Sequence, residues 1–93
     1  MVHALADLTL NGSVQPLTAT ATKCNWVILQ GVGSNAVVRV ADSNVATGRG
    51  GIITATGGIL TLPPVTDNNG YDLSLIYVIG TNNDKITILY FVR

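Results

Sequence analysis

Few side chains in this sequence could carry out acid–base or nucleophilic chemistry. The 93 residues include one histidine, His3, and one cysteine, Cys24, and they contain no glutamate. A catalytic base needs a rigid, oriented setting, whereas His3 stands near the end of the sequence, where chains usually fray. Cys24 is interpreted as a small buried hydrophobic residue rather than as a reactive thiol. We therefore predict that the protein is not an enzyme.

One loop has the oxygen-rich composition that hard cations prefer. The stretch 67–72 brings aspartate and asparagine side chains around Gly70. It lacks the bidentate glutamate of a calcium-binding hand, and the same residue types are the usual formers of turns, so a turn is the simpler interpretation. A phosphate-binding loop at 31–33 or 48–51 would have to open a helix, and strands are expected to follow both. One cysteine and one histidine cannot make a zinc site, and we predict no cofactor.

The elements that would position any site are short β-strands. Gly, Asn, Asp and Pro divide the chain into segments rich in Val, Ile, Thr and Tyr, and no helical periodicity is sustained. This pattern predicts a single all-β domain over 1–93, a small antiparallel β-sandwich or jelly-roll-like barrel of about eight short strands with at most one helical turn. Within it, residues 1–12 are a candidate N-terminal arm.

The expected strands lie at 3–10, 14–22, 24–30, 36–41, 52–55, 59–62, 75–79 and 85–92, with the helical turn at 71–74. Asn11-Gly12 suits the turn of a hairpin between the first two strands. Gly57-Gly58 suits a hairpin that pairs 52–55 with 59–62.

The composition is apolar and poor in charge. Hydrophobic residues make up 47% of the chain and charged residues 11%, and the formal net charge is zero. Repulsion between copies is then weakest, so association is favoured. The five cations are scattered, which argues against a nucleic-acid partner. No apolar stretch approaches the roughly 20 residues that cross a bilayer, so no membrane partner is expected.

Several expected strands are apolar on both sides. In the strand 85–92, for example, Leu89 and Phe91 point to the side opposite Ile88. One side can fill the core, and the other needs a cover, for which a neighbouring subunit is favoured over loops of the same chain. The sequence does not divide the candidate anchors between oligomer interface and core; they are Trp26, Val27, Leu29, Tyr77, Leu89, Tyr90 and Phe91.

A resemblance to small virion proteins of tailed bacteriophages, the capsid decoration or cement proteins, lies in three stretches: AVVRVADSNV at 36–45, GGII at 50–53 with GGILTL at 57–62, and YDLSLIYVIGT at 71–81. The resemblance implies a compact β-sandwich subunit, often trimeric, that sits at symmetry points of the capsid lattice and clamps neighbouring shell proteins together. It carries no catalytic signature, so no functional residue is transferred.

We therefore expect a phage virion structural protein that is made in the bacterial host cytoplasm and resides on the capsid surface. Its expected partners are copies of itself, as a homotrimer by resemblance, and the major capsid protein, with the arm at 1–12 facing the shell. The alternative is a carbohydrate- or receptor-binding module of a tail or fibre. That alternative depends on Tyr71, the one tyrosine expected on a loop.

Overall fold

The structure is a computed structural model that describes residues 1–32, 37–46, 48–54, 57–65 and 70–92. These residues form ten β-strands and one turn of 3-10 helix. In chain order they are β1 (Val2–Thr9), β2 (Gln15–Pro16), β3 (Lys23–Cys24), β4 (Trp26–Val32), β5 (Val37–Ala41), β6 (Gly51–Thr54), β7 (Ile59–Leu62), β8 (Tyr71–Asp72), the helix (Leu73–Leu75), β9 (Tyr77–Ile79) and β10 (Lys85–Phe91). The predicted all-β fold class is confirmed.

Most of the strands form two antiparallel sheets. The first sheet has the order β1-β10-β4-β7 and the second has the order β2-β9-β5-β6, while β3 and β8 make a separate two-stranded pair. Buried side chains from both four-stranded sheets belong to one hydrophobic cluster, so the architecture is a β-sandwich.

The core follows from the alternation of side chains along each strand. In the first sheet the odd positions of β4 and the even positions of β10 point inward, a choice that the sequence left open. The buried residues that fill the space between the sheets are Val27, Leu29, Ile86 and Ile88 from the first sheet and Val38, Val40, Ile53 and Val78 from the second.

Both hairpins expected from the sequence are wrong. The turn at Asn11-Gly12 leads from β1 in the first sheet to β2 in the second, although Gly12 has the expected positive φ, 83°. Likewise β6 pairs with β5 and β7 pairs with β4, so the chain changes sheets between them. Ala55 of the expected strand and Thr56 of the expected turn lie outside the described residues. The residue types at a turn determine only the local backbone conformation. Which strands then pair depends on which apolar sides meet in the core.

The second expected strand, 14–22, is wrong for most of its length, because only Gln15–Pro16 joins a sheet. Its threonines bond locally instead. Thr18 Oγ1 accepts a hydrogen bond from the Thr20 N–H at 3.4 Å, and the Thr22 hydroxyl donates to the Thr20 carbonyl at 2.9 Å. Such side-chain bonds offer the backbone an alternative to a ladder.

The candidate arm, residues 1–12, lies within the sandwich. Its strand β1 pairs antiparallel with β10 and is interrupted once, between Leu5 and Leu8. Both leucines pack against the core. The segment therefore forms an edge strand of the first sheet rather than an arm beside it.

Candidate protein-interaction face

The outward side of the first sheet is apolar at one end. Trp26 of β4 lies opposite Phe91 of β10, with ring centroids 4.9 Å apart and an interplanar angle of 31°. The neighbouring row pairs Ile28 with Leu89. Strand β1 extends both rows toward the edge of the sheet. We call the following residues the apolar face: Val2, Ala4, Trp26, Ile28, Leu89 and Phe91.

The apolar face is open to solvent. Val2 is 57% exposed and Leu89 is 37% exposed, while Trp26 is half-buried. Strands β4, β7 and β10, each of which the structure describes in full, carry no carboxylate, and Lys85 stands at the opposite end of β10 from Phe91. The charges nearest the face are at its rim, the exposed Asp7 of β1 and the Met1 ammonium at the Val92 carbonyl. An exposed apolar patch without charges is typical of a surface that contacts another protein.

A cavity of about 370 Å³ adjoins the Trp26–Phe91 end of the apolar face. Besides those two rings its lining includes Met1, Pro64, Val65 and Val92. The mostly apolar wall suits an aliphatic or aromatic side chain of a docking partner, since contacts between proteins often centre on an anchor seated in a pocket. The indole N–H of Trp26 is buried without an acceptor among the residues that the structure describes.

The outward side of the second sheet differs because it carries a charge at its centre. Arg39 of β5 lies between Ile52 of β6 and Ile79 of β9, beside a groove of about 350 Å³. Its guanidinium donates to the Gly50 carbonyl at 3.2 Å. Covering a cation without pairing it is costly, so this side is a poorer candidate for a dry contact than the apolar face.

The structure separates the candidate anchors that the sequence left together. The core holds Val27, Leu29 and the half-buried Tyr90; the apolar face holds Trp26, Leu89 and Phe91; the outward side of the second sheet holds Tyr77. Sequence reasoning did not include Val2 and Ala4 among the anchors, because it expected the first strand to begin at His3 and treated 1–12 as a candidate arm. The alternation of Val2 and Ala4 with His3 and Leu5 extends that strand to Val2, which is the signal that could have found them.

His3 and Tyr71, which the sequence analysis considered as functional residues, have different surroundings from those expected. His3 is not a solvated chain end, because its ring stacks on Tyr90 with centroids 5.1 Å apart and an interplanar angle of 22°. Tyr71 is not displayed on a loop: it is half-buried in β8, and its hydroxyl donates to the Pro63 carbonyl at 2.7 Å. The sugar-binding alternative therefore loses the stacking residue on which it depended.

Cys24 and Asp72 both have structural surroundings. Cys24 is 2% exposed, and burial raises the pKa of its thiol. The Asp72 carboxylate accepts hydrogen bonds from the Ser74 hydroxyl at 2.7 Å and from the backbone N–H groups of Thr22 and Ser74, both at 3.0 Å. These bonds, that of the Ser74 hydroxyl first, hold the pKa of Asp72 below its ordinary value. Residues 67–69 of the expected cation loop, 67–72, lie outside the described residues.

No family model, curated protein or solved structure matches this chain. Across the described ranges the structure has no helix with the length and apolar character needed to cross a membrane. In the same part of the chain no three histidine, cysteine, aspartate or glutamate side chains come together as ligands of a metal would.

Proposed function

We propose that this protein is a structural subunit of a larger particle and that it associates through the apolar face. The observation that supports the proposal is the row of Trp26 and Phe91 beside the row of Ile28 and Leu89, held toward solvent by the two central strands of the first sheet. Burial of such side chains is favourable by about 25 cal/mol per Å² of apolar area. The strands already hold these side chains in place, so burying them requires little further ordering.

The particle that we propose is the head of a tailed bacteriophage, and the role is that of a capsid decoration protein. The support is the resemblance at 36–45, 50–53 with 57–62, and 71–81, together with the β-sandwich fold and the zero net charge. In this proposal the subunits form homo-oligomers, with trimers expected, and bind the major capsid protein across the seams of the shell. The protein is made in the host cytoplasm and resides on the capsid surface.

The size of the chain suits such a role. A standard interface takes about 800 Å² from each partner, which is roughly a sixth of the 5158 Å² surface of this chain. In a trimer each subunit contacts two sister subunits, so these contacts and one with the shell would cover about half of its surface. Because the contact with the shell exists only in the assembled head, it stabilises that state by mass action against the pressure of packaged DNA.

The test compares two leucine-to-lysine variants. Leu89→Lys places a charge in the middle of the apolar face, and Leu75→Lys is the matched control at a position that is 64% exposed and lies away from the face. Each purified protein is mixed with expanded phage heads that lack a decoration protein, and its mass is measured by light scattering. We expect the wild type and Leu75→Lys to self-associate and to decorate heads stoichiometrically.

Leu89→Lys is expected to lose at least about tenfold in affinity, as a charge forced into an apolar contact does. Circular dichroism shows whether this variant keeps its fold. A wild-type chain that stays monomeric at high concentration and leaves the heads bare would overturn the proposal.

A further inference from the structure

The two sheets end in four edge strands, and three of these are guarded against pairing with another chain. Strand β2 has two residues and ends in Pro16, which cannot donate to a ladder. Strands β6 and β7 have four residues each, and β7 runs into Pro63-Pro64; short edge strands and prolines are usual protections against pairing. Strand β1 is different, because it has eight residues and is paired only with β10.

The hydrogen bonds of β1 show which of its backbone groups are open. Met1 and Val92 exchange two hydrogen bonds, of 2.6 and 2.9 Å. Bonded pairs alternate along an antiparallel ladder, so every second residue counted from Met1 bonds to β10. The N–H and C=O groups of Val2 and Ala4 consequently point away from the sandwich, at the outer edge of the first sheet.

Only the second half of this edge is protected. Between Leu5 and Leu8 the register shifts, so that Ala6 and Asp7 both stand opposite Thr87 in a β-bulge. A bulge and a charged side chain are the usual devices that keep an edge from pairing. The first half, 2–5, has neither device.

We propose that the first half of β1 pairs antiparallel with β1 of a second copy of this chain. The two-fold axis passes beside His3, so Val2 lies opposite Ala4 of the partner subunit and the outward backbone groups of these two residues bond to each other. The two four-stranded sheets become one continuous sheet of eight strands. Their apolar faces, which include Val2 and Ala4, join into one surface of twice the width.

A second copy fits this edge for reasons of charge and shape. The formal net charge is zero, so two copies approach without repulsion. No aspartate, lysine or arginine lies between Val2 and Ala6, so no like charges face each other in this register. The pairing goes beyond the proposed function, because it requires neither a phage head nor a contact through the apolar face.

The test removes a single outward N–H. Ala4→Pro deletes the donor that points to the second copy and leaves the bonds between β1 and β10 in place, since proline is tolerated on the open side of an edge strand. Ala4→Val keeps the N–H and is the matched control. By light scattering we expect an even number of chains in the wild type and in Ala4→Val, and half that number in Ala4→Pro.

Deuterium exchange of the wild type provides a second measurement that does not depend on how Ala4→Pro folds. The Ala4 amide has no acceptor within its own sheet, so its protection requires the second copy, whereas the Leu5 amide bonds to β10 in either case. We expect both amides to be protected at high concentration and Ala4 to lose protection on dilution. Rapid exchange at Ala4 beside slow exchange at Leu5, at every concentration, would overturn the pairing.

The outcomes also separate this pairing from the proposed function. A wild type of three chains, unchanged in Ala4→Pro, overturns the edge pairing and leaves association through the apolar face standing. A wild type of two chains that Leu89→Lys does not alter, and that ignores phage heads, supports the edge pairing and counts against the proposed function. A monomer at high concentration overturns both.

Discussion

Trp26 and Phe91 contact each other on the outward side of the first sheet, with ring centroids 4.9 Å apart and the rings tilted by 31°. The pair joins the two central strands at the end where the 370 Å³ cavity opens. The rings provide packing, whereas the Trp26 N–H is buried without an acceptor in the described part of the chain. The contact between the rings therefore stabilises the fold, whereas the unpaired indole N–H destabilises it.

Trp26→Phe separates those two effects. The phenyl ring keeps the aromatic contact and removes the unpaired donor, so the free energy of unfolding should change by less than about 1 kcal/mol. Trp26→Ala removes the contact as well and should cost about 2 to 3 kcal/mol. Urea unfolding followed by circular dichroism measures both. A loss in Trp26→Phe as large as in Trp26→Ala would mean that the indole N–H has a partner.

Leu29→Ala tests the division of the candidate anchors into core and surface. Leu29 is 0% exposed between the sheets, so truncation leaves a cavity and should cost about 2 to 5 kcal/mol. Leu75 is 64% exposed, and Leu75→Ala should stay within about 0.5 kcal/mol of the wild type. Urea midpoints report the difference. Equal losses in the two variants would contradict the inward position of Leu29.

Asp72 should make stability depend on acid pH. Its pKa is lowered in the folded chain, so below about pH 5 the unfolded chain binds more protons and stability rises with pH. The contribution is complete above the unfolded pKa of about 3.9 and is lost as pH falls through the lower folded value. Thermal melting between pH 6 and pH 2 should therefore show a steeper acid decline in the wild type than in Asp72→Asn.

Ser74→Ala provides the control for that profile, because it removes the hydroxyl that contributes first to the lowered pKa. Its acid decline should begin at the same pH as that of the wild type but be smaller and end at a higher pH, because the folded pKa of Asp72 then lies closer to the unfolded one. Identical profiles for all three proteins would show that the Asp72 carboxylate does not accept these hydrogen bonds in solution.

Cys24 should react slowly with thiol reagents. Burial raises the pKa of the thiol and blocks access, so reaction at pH 8 requires local opening and should be at least about 100-fold slower than in urea-unfolded chain. A colorimetric disulfide reagent measures both rates. Native Cys24 reacting as fast as the unfolded chain would place the thiol at the surface.

Much of the strand content could be predicted from the sequence, because side-chain alternation is a local property. The opposition of Leu89 and Phe91 to Ile86 and Ile88 is seen in the structure, and Trp26 shares a side of β4 with Ile28 as the sequence indicates. The stretch 14–22 alternates equally well and forms almost no strand. Its threonine side chains form hydrogen bonds with nearby backbone groups, and these bonds compete with strand pairing. The alternation of apolar and polar residues does not show which of the two will form.

The candidate interaction face could be predicted only in part. The sequence identified Trp26, Leu89 and Phe91 as possible anchors but could not separate them from Val27 and Leu29. Both sides of β4 are apolar, so composition alone does not say which side turns to the second sheet. The missing residues, Val2 and Ala4, come from a strand whose partner β10 begins more than seventy residues later in the chain.

By itself the sequence determined an all-β chain with little charge and with more apolar strand surface than one core can hold, since these properties follow from residue types and a period of two. Only the tertiary structure decided that Asn11-Gly12 joins different sheets, that β1 becomes an edge strand, and that Trp26 and Phe91 face solvent together. Those outcomes depend on pairings between segments far apart in the chain. Such pairings are selected by how all the apolar sides pack at once, which no local pattern contains.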